Sequence, residues 1–377
     1  MFTDCYKPIV NGVVSSISCL KETLVKKGHE VIIFCPSHPG HGDTEEGLRR
    51  FYSFTFPLQP EERVTLPFPS KHLKNFKQEG FDCIHIHTPF NLGFIGRGVS
   101  RKHKIPMVFT HHTLWEEYVH YIPFISREWL RKKAISLCRG FCNSSNYVIA
   151  PSAMVKDILI SQGVTKPIEV VPSGITAELF KCGDAGVVRK KYKIPPEKRI
   201  LTFAGRTGKE KSIDFLLEAY RIIVDKFPDV HLFILGDGPE RKNLENLAKS
   251  LKLMDNTTFT GYVPREEISN YFSASYLFIF SSTTETQGLV MQEAMACGCP
   301  VVAVDATGSS ETVRNGIDGF LTPFSKEEFS SKILLLLGDE ALREKFSQSA
   351  AKDSSRFYTD SMGEKIIQVY TAAVKSE

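Results

Sequence analysis

Short apolar runs alternate along this chain with longer stretches in which apolar residues recur every three or four positions. Residues 31–35 (VIIFC), 83–87 (CIHIH), 107–110, 147–150 and 168–171 read as strands in the first half. Rich in β-branched and aromatic side chains, they suit strands covered on both faces. Residues 15–27 form an amphipathic helix that ends at Gly28, a fitting residue for a left-handed stop. A boundary falls near residues 172–180 (PSGITAELF), after which the alternation restarts. Strands are predicted at 200–204, 230–235, 257–260, 276–280 and 300–304, and helices at 212–227, 239–251, 265–272, 287–297, 326–337 and 354–374. Strand–helix alternation of this kind specifies an α/β fold with parallel sheets, here two doubly wound, Rossmann-like domains. The expected division is 1–175, 176–357, and a last helix, 358–377, that returns to the first domain. Ligands of such sheets sit beyond the carboxyl ends of the strands, so chemistry is sought there.

Composition narrows the class. With 377 residues, 42% hydrophobic and 24% charged, the chain is too apolar for disorder and too long for one ordinary core. No run of 18 apolar residues could span a membrane, and no secretory leader is apparent. Nine cysteines, an odd number with no CxxC pair, are read as buried reduced thiols, which places the protein in a cytosol. Cys297 and Cys299 have no nearby histidine or cysteine set to complete a metal site. The charge is uneven. Residues 1–180 carry 21 Lys/Arg against 16 Asp/Glu, and the remainder 26 against 27, so the first half is basic and the second neutral.

Three constellations could carry chemistry. AGRTGKEK (204–211) follows a predicted strand and brings Arg206 and Lys211 to its end, as a diphosphate leaving group requires; its plain alternative is a solvated basic loop. Glu285 and Glu293 are spaced across a strand end and the following helix. Glu285 falls at the helix mouth, where the amides of Gly288, Leu289 and Val290 could hold phosphate. Glu293 lies within LVMQEAMACG, where an unpartnered carboxylate would be costly, so a role in holding ribose hydroxyls outweighs that of a surface acid. His111 and His112 end a strand and must point oppositely, so at most one can line a site. His85 and His87 share a strand face and read as satisfied strand histidines. Gly236-Asp237-Gly238 lacks the third glycine of a dinucleotide fingerprint, since position 241 is Arg, and reads as a turn.

These segments, with GYV at 261–263, EAMACGCPVV, FTDCYKPIVNGVVSSI, HIHTPF, FTHHT, VVPSGI, ILGDGPE and FTGYVP in order, resemble glycosyltransferase family 4 over nearly the whole chain. The resemblance implies the glycosyltransferase B fold, two Rossmann-like domains facing across a cleft. It also implies retention of anomeric configuration, a nucleotide-sugar substrate, and no metal or other cofactor. By position it assigns Arg206 and Lys211 to the donor diphosphate, Glu293 to the ribose and Glu285 to the transferred sugar. Gly12 would let a first-domain loop approach the donor, His112 would line the reaction centre, and the backbone near Tyr262 and Val263 would meet the base. Family members begin with a complete strand before the FTD-like segment, whereas here Phe2-Thr3-Asp4 follows Met1 directly, so the expectation is either a true start upstream or a weakened sheet centre. No carboxylate other than Asp4 offers itself as the base of an inverting reaction.

For the acceptor, TETQGL around Glu285 and HHTLWEEYVHYI (111–122) resemble bacterial diacylglycerol glucosyl- and galactosyltransferases. Residues 97–139 hold nine Lys/Arg against three Asp/Glu, interleaved with Trp115, Phe124, Trp129, Leu130 and Ile135. Residues 127–139 read either as a basic amphipathic helix for an anionic membrane surface or as a core helix with a basic solvated side. The expected partners are therefore a nucleotide sugar, UDP-linked, and a lipid at the inner face of the cell membrane. The alternative is the same chemistry on a soluble sugar, polyol or glycan. A nucleotide-sugar 2-epimerase fits the spaced glutamates poorly, and a non-catalytic nucleotide-sugar binder would have lost a phosphate cation or Glu285. Nucleic acid is not indicated, and no protein partner is inferred.

Overall fold

The computed structural model describes every residue except 10, 41–44, 57–58, 67–70, 75, 123–124, 181–182 and 377. Phe124 and Cys182 thus lie outside the described residues. The chain forms two compact units, Met1–Gly174 with Thr359–Glu377, and Ile175–Tyr358.

The second unit is built on six parallel strands. Their order across the sheet is Thr257–Gly261, Val230–Leu235, Arg199–Ala204, Leu277–Phe280, Val301–Val304 and Gly319–Thr322. The chain winds outward from Arg199–Ala204 in one direction, returns to Leu277–Phe280 beside it, and winds outward in the other. The winding reverses between these two strands, which creates a ligand crevice at their carboxyl ends. Both are almost wholly buried, which suits the apolar run of Leu277–Phe280 and the Ile200, Leu201 and Phe203 side chains of its neighbour. Helix Ile213–Lys226 packs against helix Lys326–Gly338, with Phe215 edge-on to Phe329 and the Ser330 hydroxyl donating to the Ala219 carbonyl. Gly319–Thr322 was not expected from the sequence. It begins at a glycine because a Cβ there would lie 2.1 Å from the Val301 carbonyl oxygen of the neighbouring strand.

The first unit has a parallel sheet of Ile84–Ile86, Met107–Thr110, Tyr147–Ala150 and Ile168–Val170, with Ile33–Pro36 pairing Leu48–Phe51 beyond it. Phe2 joins the two parts. Its amide donates to the His85 carbonyl (2.8 Å), and its carbonyl accepts from the His87 amide (2.9 Å). On the other side the Thr3 amide donates to Phe34 (3.1 Å). The Phe2 ring stacks on Phe34 at 4.5 Å and is buried. The sheet centre is therefore bridged by the segment Met1–Thr3, bonded through Phe2 on one side and through Met1 and Thr3 on the other. Leu48–Phe51 escaped the sequence reading because Arg49 and Arg50 interrupt its apolar run, and the antiparallel hairpin Ser53–Phe56 with Gln59–Thr65 because its second strand is polar.

The first helix starts three residues earlier than its apolar period suggests, at Gly12 (Gly12–Lys26), because the Asn11 side chain caps it by accepting from the Val14 amide at 2.9 Å. Helix Thr359–Lys375 packs on this helix and on the sheet through Met362, Ile366, Val369 and Ala373, against Leu20, Leu24, Val108 and Ile149.

Asp4 ties the N-terminal segment to helix Asn91–His103. One carboxylate oxygen accepts from the Leu92 amide (2.9 Å) and the other from the Thr88 hydroxyl (2.6 Å), although burial pushes its pKa up. Asp4→Ala would leave both donors unmet. Urea unfolding of that variant is expected to show a loss of about 1–3 kcal/mol. An unchanged midpoint would remove Asp4 from this role.

Candidate active site

The two strands that flank the reversal in the second unit deliver most of the candidate residues. After Arg199–Ala204 the chain turns through Gly205–Gly208 into a short 3-10 turn, Lys209–Lys211. After Leu277–Phe280 it runs to Glu285 and into helix Leu289–Ala296. The Lys211 ammonium and the Glu285 carboxylate meet at 2.8 Å, with side chains 14% and 20% exposed. Burial would raise the Glu285 pKa. The Lys211 charge and the amides of Gly288 and Gln287 outweigh it and hold the carboxyl below its usual value.

This alters the expected helix mouth. The helix begins at Leu289 rather than at 287, and the Gly288 amide donates to Glu285 Oε1 at 3.4 Å, so that amide already serves a protein carboxylate. Gly288 adopts φ 78°, a left-handed conformation suited to glycine, and a Cβ there would press on Met291. No side chain caps this helix, and Leu289 and Val290 form its half-buried first turn.

Arg206 lies with one guanidinium nitrogen 3.8 Å from Glu210, whose side chain is buried. The Gly236-Asp237-Gly238 turn braces this loop: the Thr207 amide donates to the Asp237 carbonyl (3.0 Å), and the Glu240 amide donates to the Thr207 carbonyl (2.9 Å). Gly236 is required by close approach, since a Cβ there would lie 2.1 Å from the Gly205 carbonyl oxygen. The turn is thus a support for the cation loop.

Glu293 is buried, and burial raises its pKa, but it has a partner that sequence reasoning missed. Arg265 stands 3.2 Å away and opposes the shift. The available signal was a cation just past GYVP, at the carboxyl end of strand Thr257–Gly261. Of the neighbouring pair, Tyr262 is exposed and the Val263 side chain belongs to the core.

The first unit holds Gly12 and His112. Gly12 is the exposed first residue of a helix, not part of a loop. Beyond strand Met107–Thr110, His111 is buried with neither ring nitrogen partnered among the described residues, while His112 is half-buried. The His112 Nε2 lies 2.9 Å from His87 Nδ1. The His87 ring packs tilted against His85, centroids 4.0 Å apart, and His85 bonds Tyr370 (2.7 Å) and Thr110 (2.6 Å). His85 is therefore satisfied as expected, but His87 is only partly so, because its Nε2 is buried without a partner among the described residues. Burial keeps these rings neutral, with His112 lowered to about 3 and His111 to about 4.

Chemically, the second unit gathers three cations, each beside a carboxylate, at the strand ends where an anionic phosphate and sugar hydroxyls could exchange for those carboxylates. The first unit offers a neutral imidazole at a strand end.

Comparison with known proteins agrees. A family model described as Glycosyl transferases group 1 matches residues 184–353, and one described as Glycosyltransferase Family 4 matches residues 10–179. The chain is 36% identical over 310 residues to the alpha-monoglucosyldiacylglycerol synthase of Streptococcus pneumoniae, covering 80% of this chain and 70% of that protein. It is 28% identical to the protein of the same name from Acholeplasma laidlawii, covering 89% and 86%. Among solved structures, HepE from Anabaena in complex with UDP and glucose superposes with a TM-score of 0.81 at 21% identity, covering 98% of each chain. The paired strand-end charges, the doubly wound units and these matches lead to one conclusion: the chain belongs to glycosyltransferase family 4 and is a glycosyltransferase with the B-type fold of two Rossmann-like domains.

Proposed function

We propose that the chain transfers a hexose from a UDP-sugar to a hydroxyl of membrane diacylglycerol or a glycolipid, retaining the anomeric configuration and requiring no metal. The observation that carries the reading is the Lys211–Glu285 pair beside Arg206 at the winding reversal of the second unit. An arriving diphosphate takes over Lys211 and Arg206, and Glu285, released from its cation, accepts from the sugar hydroxyls. The amides at Leu289 and Val290 add to the field at the phosphate. Glu293, held by Arg265, accepts from the ribose hydroxyls, and the backbone at Tyr262 and Val263 meets the base. Gly12 lets the first unit's backbone approach the donor, and His112 contacts the sugar.

The bond from the anomeric carbon to the diphosphate oxygen breaks as the bond to the acceptor oxygen forms. The acceptor's proton passes to the departing diphosphate on the same face, which gives retention. Asp4 supports this route over an inverting one, since both its oxygens are engaged with Leu92 and Thr88. Two protein cations and backbone amides supply the positive field that a metal would otherwise provide.

The lipid acceptor rests on the names of the relatives and on helix Arg127–Ser144. Its buried residues are Cys138, Phe141 and Cys142, all in the second half. In the first half Arg131, Lys132, Lys133 and Trp129 are exposed, as are Ile122 and Ile125 before it. That distribution favours a membrane-facing segment over a core helix with one solvated side. No helix among the described residues is long and apolar enough to cross a membrane, so attachment would be peripheral.

Two measurements test this reading. Arg206→Ala or Lys211→Ala is expected to cost roughly 3–4 kcal/mol of transition-state stabilisation in kcat/KM of the folded variant, beyond any stability lost with the unpaired carboxylate, while excess EDTA leaves the wild-type rate unchanged. Full kcat/KM in both variants, or an EDTA loss restored by Mg²⁺, would reject the clamp. Reversal of Arg131, Lys132 and Lys133 to Glu should abolish co-sedimentation with phosphatidylglycerol liposomes, each cation contributing about 1 kcal/mol at such a surface. Nucleotide affinity by calorimetry should survive the reversal. A wild-type protein indifferent to anionic lipid would instead favour a soluble acceptor.

A further inference from the structure

The histidines of the first unit form a column whose proton positions can be worked out. The rings of His85, His87 and His112 are neutral, so each carries one N–H. His85 is clamped at both nitrogens, by the Tyr370 and Thr110 hydroxyls, and its ring packs against His87, tilted by 37°. His87 is thereby held with Nδ1 facing His112 Nε2 at 2.9 Å, a distance that accommodates one proton between two nitrogens.

Two arrangements are possible. If His112 Nε2 carries the shared proton, His87 must place its own on Nε2, which is buried with no acceptor among the described residues. If His87 Nδ1 carries it, the unmet group at Nε2 is only a lone pair. An orphaned buried N–H is rarer in folded proteins than an under-satisfied acceptor, so the second arrangement wins.

We infer that His87 is a positioning residue that fixes His112 as the Nδ1–H tautomer, so that His112 presents a hydrogen-bond donor from Nδ1. This rests on the proposed contact between His112 and the transferred sugar. It specifies the nature of that contact: an N–H directed at a sugar oxygen lone pair, and not a base that withdraws a proton. The Tyr370 and Thr110 hydroxyls act one step further back, keeping the His85 ring against His87.

The test uses the full chain labelled with ¹⁵N-histidine. Long-range ¹H–¹⁵N correlation separates protonated from unprotonated ring nitrogens, and the His112 signals are identified by their loss in His112→Asn. The expected result is a protonated Nδ1 and an accepting Nε2 on His112; a protonated Nε2 would overturn the inference. Two variants give a kinetic reading. His87→Asn can still present an N–H to His112 and should stay close to the wild-type kcat. His87→Asp presents only an acceptor, forces the opposite tautomer and should lower kcat roughly a hundredfold, the scale of losing one preorganised donor. Equal rates for the two folded variants would refute the role, and if His87→Asp fails to fold, the wild-type spectrum decides. Absence of sugar transfer by the wild type with every donor would reject the proposed function while leaving the tautomer result intact.

Discussion

A carboxylate taken out of water must find a cation, and that requirement organises the second unit. Glu285 has Lys211, Glu293 has Arg265, and Glu210 stands beside Arg206. Opposite unit charges 4 Å apart attract by about 4 kcal/mol at the effective dielectric of a protein surface. Leaving any of these carboxylates unpaired would therefore threaten a fold of ordinary stability. The same pairing makes the site ready for an anion. In the proposed function a diphosphate takes the place of the carboxylates around Arg206 and Lys211, whose loop is braced by the Gly236–Gly238 turn and rooted in a buried parallel strand. Stability without ligand and affinity for ligand thus draw on the same charges.

The parts of this design that depend on local pattern were legible in the sequence. Unbroken apolar runs such as Leu277–Phe280 and Val301–Val304 identify strands covered on both faces, and Arg206, Lys211 and Glu285 can be placed at strand ends by counting along the chain. What escaped was set by tertiary contact. Gly319–Thr322 has only two consecutive large apolar residues to mark it as a strand, and Leu48–Phe51 is obscured by two arginines. The ion pair of Lys211 with Glu285 joins residues 74 positions apart, a separation no periodicity reveals. The pairing of Arg265 with Glu293 is hidden for the same reason, and the bond of the Gly288 amide to Glu285 depends on where the helix begins.

The first unit shows a different economy. The column of His85, His87 and His112 is kept neutral by burial, and in the inferred role it acts through the direction of its N–H groups. Arg131, Lys132 and Lys133 stand on the exposed half of helix Arg127–Ser144, where water or lipid headgroups can solvate them. One unit therefore presents paired charges at its strand ends, while the other combines neutral imidazoles with a basic, partly apolar surface.

The central claim is that this chain moves a sugar from a nucleotide to a lipid hydroxyl with retention. The most direct test incubates the full chain with radiolabelled UDP-hexoses, and separately GDP-mannose, in the presence of diacylglycerol dispersed in anionic lipid. Label is then followed into the organic phase, and the anomeric proton of the product is read by NMR. The account predicts lipid-extractable label from a UDP-hexose and an α linkage from the α-linked donor. A β-linked product, or label that never leaves the aqueous phase, would contradict it.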